Sequence, residues 1–111
     1  MLLRLMAEVG SAAEGEEELR RAVAVIALAT VERALVEQYW KIPAYWEITL
    51  HLRPAGSPVD LFERLLGLAA AGWTLGDAGD DRWAVWNWSP GVEFLTPRIR
   101  WAELQLRASS D

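Results

Sequence analysis

The stretch YWEITLHLR at residues 45–53 decides the fold class, because its side chains alternate in character. One set is apolar and consists of Trp46, Ile48, Leu50 and Leu52. The other set consists of Tyr45, Glu47, Thr49, His51 and Arg53. Successive side chains of a strand point to opposite faces, so a period of two is typical of a half-buried strand. The pattern therefore predicts a strand with one face in the core and one open face.

The residues after this strand predict a helix. Pro54-Ala55-Gly56 breaks the strand, Ser57 is placed to cap the helix, and Pro58 occupies its first position. Gly72 is the expected C-terminal stop. The predicted core stripe of this helix is Phe62, Leu65, Leu66 and Ala69.

The C-terminal third predicts antiparallel strands. A short strand at 73–75 and a returning strand at 82–88 are joined by the polar loop 76–81, which is typical of a hairpin. A last strand is expected at 98–107. Its better core set is Arg100, Ala102, Leu104 and Leu106, which places Ile99, Trp101, Glu103 and Gln105 on the open face.

The first 41 residues are expected to be helical. Ser11 and Glu14 match a capping box, and glutamates crowd the first turns, where the helix dipole favours negative charge. The segment from Ala22 to Val31 is apolar nearly all round, so we expect it to pack on the sheet and to pair with a second copy of the chain as a homodimer. Pro43 is expected to end this helix.

Together these elements predict an α+β fold in a single domain, residues 1–111. The expected architecture is a two-layer sandwich, in which two helices pack on one face of a three- to four-stranded, mainly antiparallel sheet. The expected order is α-β-α-β-β-β, with a helical segment at 1–41 followed by a βαβββ unit at 42–107.

Composition excludes several classes of protein. The net charge of −5 argues against a nucleic-acid binder, and the absence of cysteine excludes disulfides, thiol nucleophiles and cysteine metal sites. No apolar stretch is long enough to predict a membrane span. Ten of the eleven basic residues are arginine and alanine occurs seventeen times, which favours a GC-rich bacterial origin. We expect a cytoplasmic protein with no cofactor and no bound metal.

Seven tryptophans in 111 residues are the strongest functional signal. Indole offers a large rigid apolar area and one N–H donor, so the excess indicates either a core built from indoles or a surface that binds another molecule. A binding surface would be an aromatic patch with a polar rim on the open face. Its candidate residues are Tyr45, Glu47, His51, Trp83, Trp86, Trp88, Trp101 and Glu103. The alternative is that residues 89–97, with Phe94 and Leu95, fold back and cover these rings.

The preferred hypothesis is a small non-enzymatic module that binds a protein partner through this tryptophan-rich face. One alternative is a small-ligand binder whose pocket, between sheet and helices, is lined by Trp46, Trp86, Trp88 and Phe94. Another is an enzyme that uses Glu47 and His51 as acid and base. The acids of the loop 76–81 match no calcium-loop spacing, so a metal site is not expected there.

Overall fold

A computed structural model describes residues 1–27, 29–79 and 81–107. Its elements are β1 (Leu2–Glu8), α1 (Ala12–Val25), β2 (Ala29–Gln38), β3 (Tyr45–Pro54), α2 (Pro58–Leu66), β4 (Trp73–Ala78), β5 (Asp81–Asn87) and β6 (Ile99–Leu106). The six strands form one sheet in the order β2-β3-β1-β6-β5-β4, and every neighbouring pair is antiparallel. The α+β class and the antiparallel sheet are confirmed. The expectation of three or four strands was wrong, because two strands lie in the segment expected to be helical.

The first of these strands, β1, lies in the centre of the sheet. It pairs with β3 on one side and with β6 on the other. Its inward side chains Leu3, Leu5 and Ala7 are fully buried, and Met6 on the other face is also buried. A short run that is apolar on both faces has no clear period, and leucine and methionine are strong helix formers, so sequence alone favoured a helix.

The second of these strands, β2, replaces the predicted continuation of the N-terminal helix. α1 ends at Val25, with Ile26 as its C-cap, so Ala22–Val31 is not one helix and offers no continuous helical surface for a homodimer. Leu28, in the same stretch, lies outside the described residues. The ladder between β2 and β3 shifts register between Val31 and Arg33, which makes Glu32 a β-bulge. Before the bulge the core-facing residues of β2 have odd numbers, and after it they have even numbers. This shift hides the period of two in the sequence.

Capping and a close approach position α1. The Ser11 hydroxyl accepts a hydrogen bond from the Glu14 amide at 3.2 Å, as the predicted capping box requires, and the Glu14 carboxylate accepts one from the Gly10 amide at 3.3 Å. Gly15 is buried against the sheet, where an added Cβ would lie 2.9 Å from Val36 Cγ1. The glycine that weakens the helix in isolation therefore allows α1 to rest closely on β2.

The core lies between the helices and one face of the sheet. From the sheet, the cluster contains the predicted inward residues Ile48, Leu50 and Leu52 of β3 and Ala102, Leu104 and Leu106 of β6, and the described helices contribute Ala22, Leu61, Phe62 and Leu65. The predicted place of Ile99 on the open face was wrong, because the β1–β6 ladder shifts register beside Arg100 and Ile99 is fully buried in the core. α2 begins as predicted, since the Ser57 hydroxyl accepts a hydrogen bond from the Asp60 amide, but it ends at Leu66 rather than near Gly72. Neither helix is long and apolar enough to cross a membrane, as far as the described residues go.

The predicted hairpin is formed by β4 and β5, which extend further into the polar loop than expected. Asp80, one of the acids of that loop, lies outside the described residues. Beyond β5, residues 89–97 fold back over the core. Phe94 is fully buried there, with its ring edge-on to Trp73 at 5.0 Å and tilted against Trp86 at 5.7 Å between centroids. The covering segment expected in the alternative interpretation therefore exists, but it covers the helix side of the sheet.

Candidate functional site

The face of the sheet opposite the helices, called the open face here, brings four of the predicted site residues together. Tyr45 and Glu47 lie on β3, and Trp101 and Glu103 lie on β6. β1 runs between these two strands, with Met6 opposite both Glu47 and Trp101 in the ladders. All four predicted residues are half-buried, so each keeps part of its surface accessible.

Arg4 links the two glutamates across the open face. Its Nη2 lies 2.6 Å and its Nε 3.2 Å from Glu47 Oε2, and its Nη1 lies 2.9 Å from Glu103 Oε1. The hydrogen bond to Glu47 raises the pKa of Arg4; desolvation opposes this, and Glu103 adds to it. The guanidinium also lies 5.6 Å from the centroid of the Trp101 ring, within range of a cation–π contact. The three charged side chains are thus held together, and each is paired, but the cluster keeps a net charge of −1.

Beside this ion-pair network lies a groove of about 420 Å³. One wall is the loop between β2 and β3, which is held by hydrogen bonds from the Tyr39 amide to the Tyr45 carbonyl and from the Tyr45 amide to the Ile42 carbonyl, both 2.9 Å. The lining residues are Arg4, Met6, Tyr39, Ile42, Tyr45, Asn87, Arg100 and Trp101.

The two arginines of the groove are already engaged by other groups of the protein. Arg4 holds the two glutamates, whereas Arg100 donates to the Pro97 carbonyl at 2.7 Å and lies 4.7 Å from the centroid of the Trp88 ring. The rest of the lining is mainly aromatic or aliphatic. The groove is therefore suited to a neutral, large apolar side chain and poorly suited to a free anion.

The tryptophans divide into buried and accessible sets. Trp86 is fully buried, and its indole N–H donates to the Ala71 carbonyl at 2.8 Å, so this predicted site residue belongs to the core and not to the open face. Trp73 donates in the same way to the Leu66 carbonyl at 2.9 Å. The exposed set is Trp40 at 79%, Trp88 at 41% and Trp83 at 39%.

Trp83 lies on the open face, but it also has a structural role. It is directly opposite Gly76 in the β4–β5 ladder, and an added Cβ on Gly76 would lie 2.1 Å from Trp83 Cζ2. The indole thus rests on the bare backbone of the glycine. Part of its exposure is explained by this cross-strand packing rather than by a binding role.

The open face does not form an acid–base pair from Glu47 and His51. The two residues are four positions apart on one strand, about 13 Å between Cα atoms at roughly 3.3 Å per residue. Glu47 is bound by Arg4, whereas His51 is exposed and lies opposite Leu2 and Arg33. The described residues contain no group of three or more His, Cys, Asp or Glu side chains arranged to hold a metal.

The pocket proposed between sheet and helices is also not supported by the packing. Trp86 and Phe94, two of its four expected lining residues, are fully buried and in contact with each other. They offer no accessible surface to a ligand, and the accessible groove lies on the other side of the sheet.

Sequence reasoning missed several residues that build the groove: Arg4, Met6, Tyr39, Ile42, Asn87 and Arg100. The alternation of Leu3, Leu5 and Ala7 with Arg4 and Met6 was only a weak signal for the first two, because Met6 is apolar as well. The position of the β2–β3 loop depends on β2 being a strand, which the bulge concealed.

Comparison with known proteins does not assign a family. No family model, no curated protein and no solved structure matches this chain. The function is therefore argued from the geometry of the open face.

Proposed function

We propose that this protein is a non-enzymatic interaction module that binds a protein partner through the open face, with a large apolar side chain of the partner inserted into the groove. The observation that carries the proposal is the aromatic groove beside the Arg4–Glu47–Glu103 network. Protein interfaces are enriched in aromatic residues, methionine and arginine, and the lining of the groove contains each of these residue types.

The ion-pair network supports binding because its charges are satisfied before a partner arrives. A buried charge without a partner is strongly unfavourable at an interface. Arg4 already pairs with Glu47 and Glu103, so each of the three groups has an opposite charge beside it before docking. The cluster keeps one negative charge in excess, which a basic group of the partner would balance. Their fixed geometry also lowers the conformational entropy lost on binding.

Charge favours a partner with a basic surface around its apolar anchor. The chain carries a net charge of −5, and exposed acids such as Glu8 and Glu37 lie on the strands that form the open face. Opposite surface charges accelerate association and exclude wrongly charged partners. A bacterial origin is part of this proposal and is supported by the arginine and alanine content, and a cytoplasmic location is proposed with it.

The test is affinity capture with variants that separate the groove from the rest of the surface. Ile42 lines the groove and Leu75 lies on β4 at the far edge of the sheet, with 45% and 59% of their surfaces exposed. We expect I42E to lose the captured partner and the matched control L75E to retain it. Titration calorimetry with the purified partner should give at least about a tenfold weaker Kd for I42E, since loss of a central anchor costs about 2 kcal/mol or more and tenfold corresponds to about 1.4 kcal/mol.

Trp101→Ala provides a second groove variant with the same expected result. Equal retention of one partner by I42E, W101A and L75E would remove the open face as the binding site. Failure of the wild-type protein to retain any partner at moderate salt would count against an interaction module altogether.

A further inference from the structure

The outer edge of β2 is an unpaired edge in the described sheet. β2 is ten residues long, and the sheet order places β3 on one side of it only. Such an edge presents a row of free backbone N–H and C=O groups that can pair with another strand. The bulge at Glu32 leaves a regular segment from Arg33 to Gln38.

The charges of this segment lack complements within the described protein. Glu37 lies directly opposite Glu47, whose carboxylate is bound by Arg4, and Arg33 lies directly opposite His51. Glu37 and Glu47 are like charges in opposite positions of the ladder, which is unfavourable, and His51 offers Arg33 no negative charge. No ion pair is formed by Arg33 or Glu37 within residues 1–27, 29–79 and 81–107. β3 occupies one side of this segment, so a strand that carries charges opposite to those of Arg33 and Glu37 can pair with it only at the free edge.

We propose that β2 pairs with β2 of a second copy of this chain, antiparallel and two-fold symmetric about Leu35. Directly opposite residues of an antiparallel pair have their side chains on the same face of the sheet. A two-fold axis perpendicular to the sheet preserves that face, and faces alternate along the strand, so two opposite residues must both have odd numbers or both have even numbers. Centring on Leu35 places Arg33 opposite the second copy's Glu37 at both ends. It also places Leu35, 55% exposed on the open face, against itself.

Neighbouring registers lack this match. Centring on Arg33 opposes two arginines. Centring on Ala34 sets Arg33 opposite Leu35, and centring on Val36 sets Glu37 opposite Leu35. The Leu35 register alone among these forms two ion pairs, and its five pairs from 33 to 37 fall within the regular segment beyond the bulge. The result is a continuous twelve-stranded sheet with both open faces on the same side.

Charge reversal tests both the dimer and its register. Sedimentation velocity of the wild-type protein should show a species of about twice the 12.4 kDa chain mass. R33E and E37R should each weaken dimerisation roughly tenfold or more, because two symmetric pairs change from attraction to repulsion. The double variant R33E/E37R should restore it, because the pair is formed again with reversed polarity. Thermal unfolding of each variant shows whether it is folded.

Cysteine cross-linking gives an independent measurement, since the chain contains no cysteine. L35C should be joined to a second L35C by a short bis-maleimide, whereas the control L75C, which is equally exposed but on the other edge strand, should not. Three results would each overturn the proposal. The first is a wild-type protein that stays monomeric at about 0.1 mM, which is roughly ten times a Kd in the weak micromolar range. The others are failure of the double reversal to restore the dimer and equal cross-linking of L35C and L75C.

Discussion

Replacing Arg4 with methionine tests the physical basis of the open face. The substitution keeps an unbranched apolar stem beside Trp101 but removes the cation that joins Glu47 and Glu103. The two carboxylates then lie on either side of β1 without the bridging charge. We expect the folded state to lose stability mainly because these two groups are left partly desolvated and unpaired.

The magnitude follows from how far the network is buried. Breaking a fully buried pair costs about 3–5 kcal/mol, whereas an exposed pair contributes about 0–1 kcal/mol. The side chains of Arg4, Glu47 and Glu103 are 34%, 15% and 21% exposed, which places the network between these limits. We therefore expect R4M to lower the free energy of unfolding by about 2 kcal/mol. The urea midpoint should fall by about 1 M if the m-value is about 2 kcal/mol/M.

The control is Arg20→Met, which breaks the exposed pair between Arg20 and Glu17. The two side chains are 66% and 46% exposed, so solvent screens the pair and we expect no measurable change in the urea midpoint. The triple variant R4M/E47Q/E103Q should recover at least half of the loss, because it removes the unpaired charges as well. The reasoning is refuted if R4M costs no more than R20M, or if the triple variant is as unstable as R4M.

Two further changes test packing by urea denaturation. Gly76→Ala should lower the free energy of unfolding by about 1–3 kcal/mol, because the new Cβ displaces the Trp83 indole. The control Gly56→Ala should be nearly neutral, because nothing lies within 4 Å of its Cβ. Equal stabilities of the two variants would contradict the packing of Trp83 on Gly76. Glu18→Gln should raise stability by up to about 1 kcal/mol, because Glu18 is 3% exposed and its Oε2 has no hydrogen-bond partner among the described residues. The pair that it loses, between Oε1 and Arg21 Nη1 at 3.6 Å, is long and involves a 58% exposed arginine. Exposed Glu16→Gln should change little, and a clear loss of stability in E18Q would show that the carboxylate is needed.

The elements predicted correctly from the sequence are those with an uninterrupted period. β3 alternates along its length, β6 alternates from Trp101 to Leu106, and Ser57 and Pro58 mark the start of α2. Ile99 was assigned to the wrong face because the register shift beside Arg100 breaks the alternation of β6. β1 was missed because five of its seven residues are leucine, methionine or alanine, which suit a helix as well as a central strand. β2 was missed because its bulge shifts the inward positions from Ala29 and Val31 to Ala34 and Val36.

The candidate site was predictable only within single strands. Alternation placed Tyr45 with Glu47 and Trp101 with Glu103, but no local pattern determines that β1 lies between β3 and β6. That order brings Arg4 to both glutamates and Met6 to Trp101. Strand order arises from long-range packing, so the ion-pair network and the groove had no local signature in the sequence.

Packing within the protein explains the positions of four of the tryptophans, but it does not explain the exposed Trp40. Trp73 and Trp86 satisfy their N–H groups on carbonyls of the chain, Trp83 covers Gly76, and Trp88 lies against Arg100. Trp40 lacks comparable burial: it is 79% exposed, and its ring contacts are with the adjacent Tyr39 and Lys41.

The position of Trp40 relates the two proposed surfaces. It lies in the loop that forms one wall of the groove, directly after the edge strand β2. In the proposed dimer, pairing of β2 would hold the base of this loop in both copies, and the two grooves would open on the same side of the continuous sheet. A partner that presents two anchors could then engage both at once, with an affinity raised by the high effective concentration of the second anchor. The least structurally constrained aromatic of the chain thus lies where dimer formation and partner binding would meet.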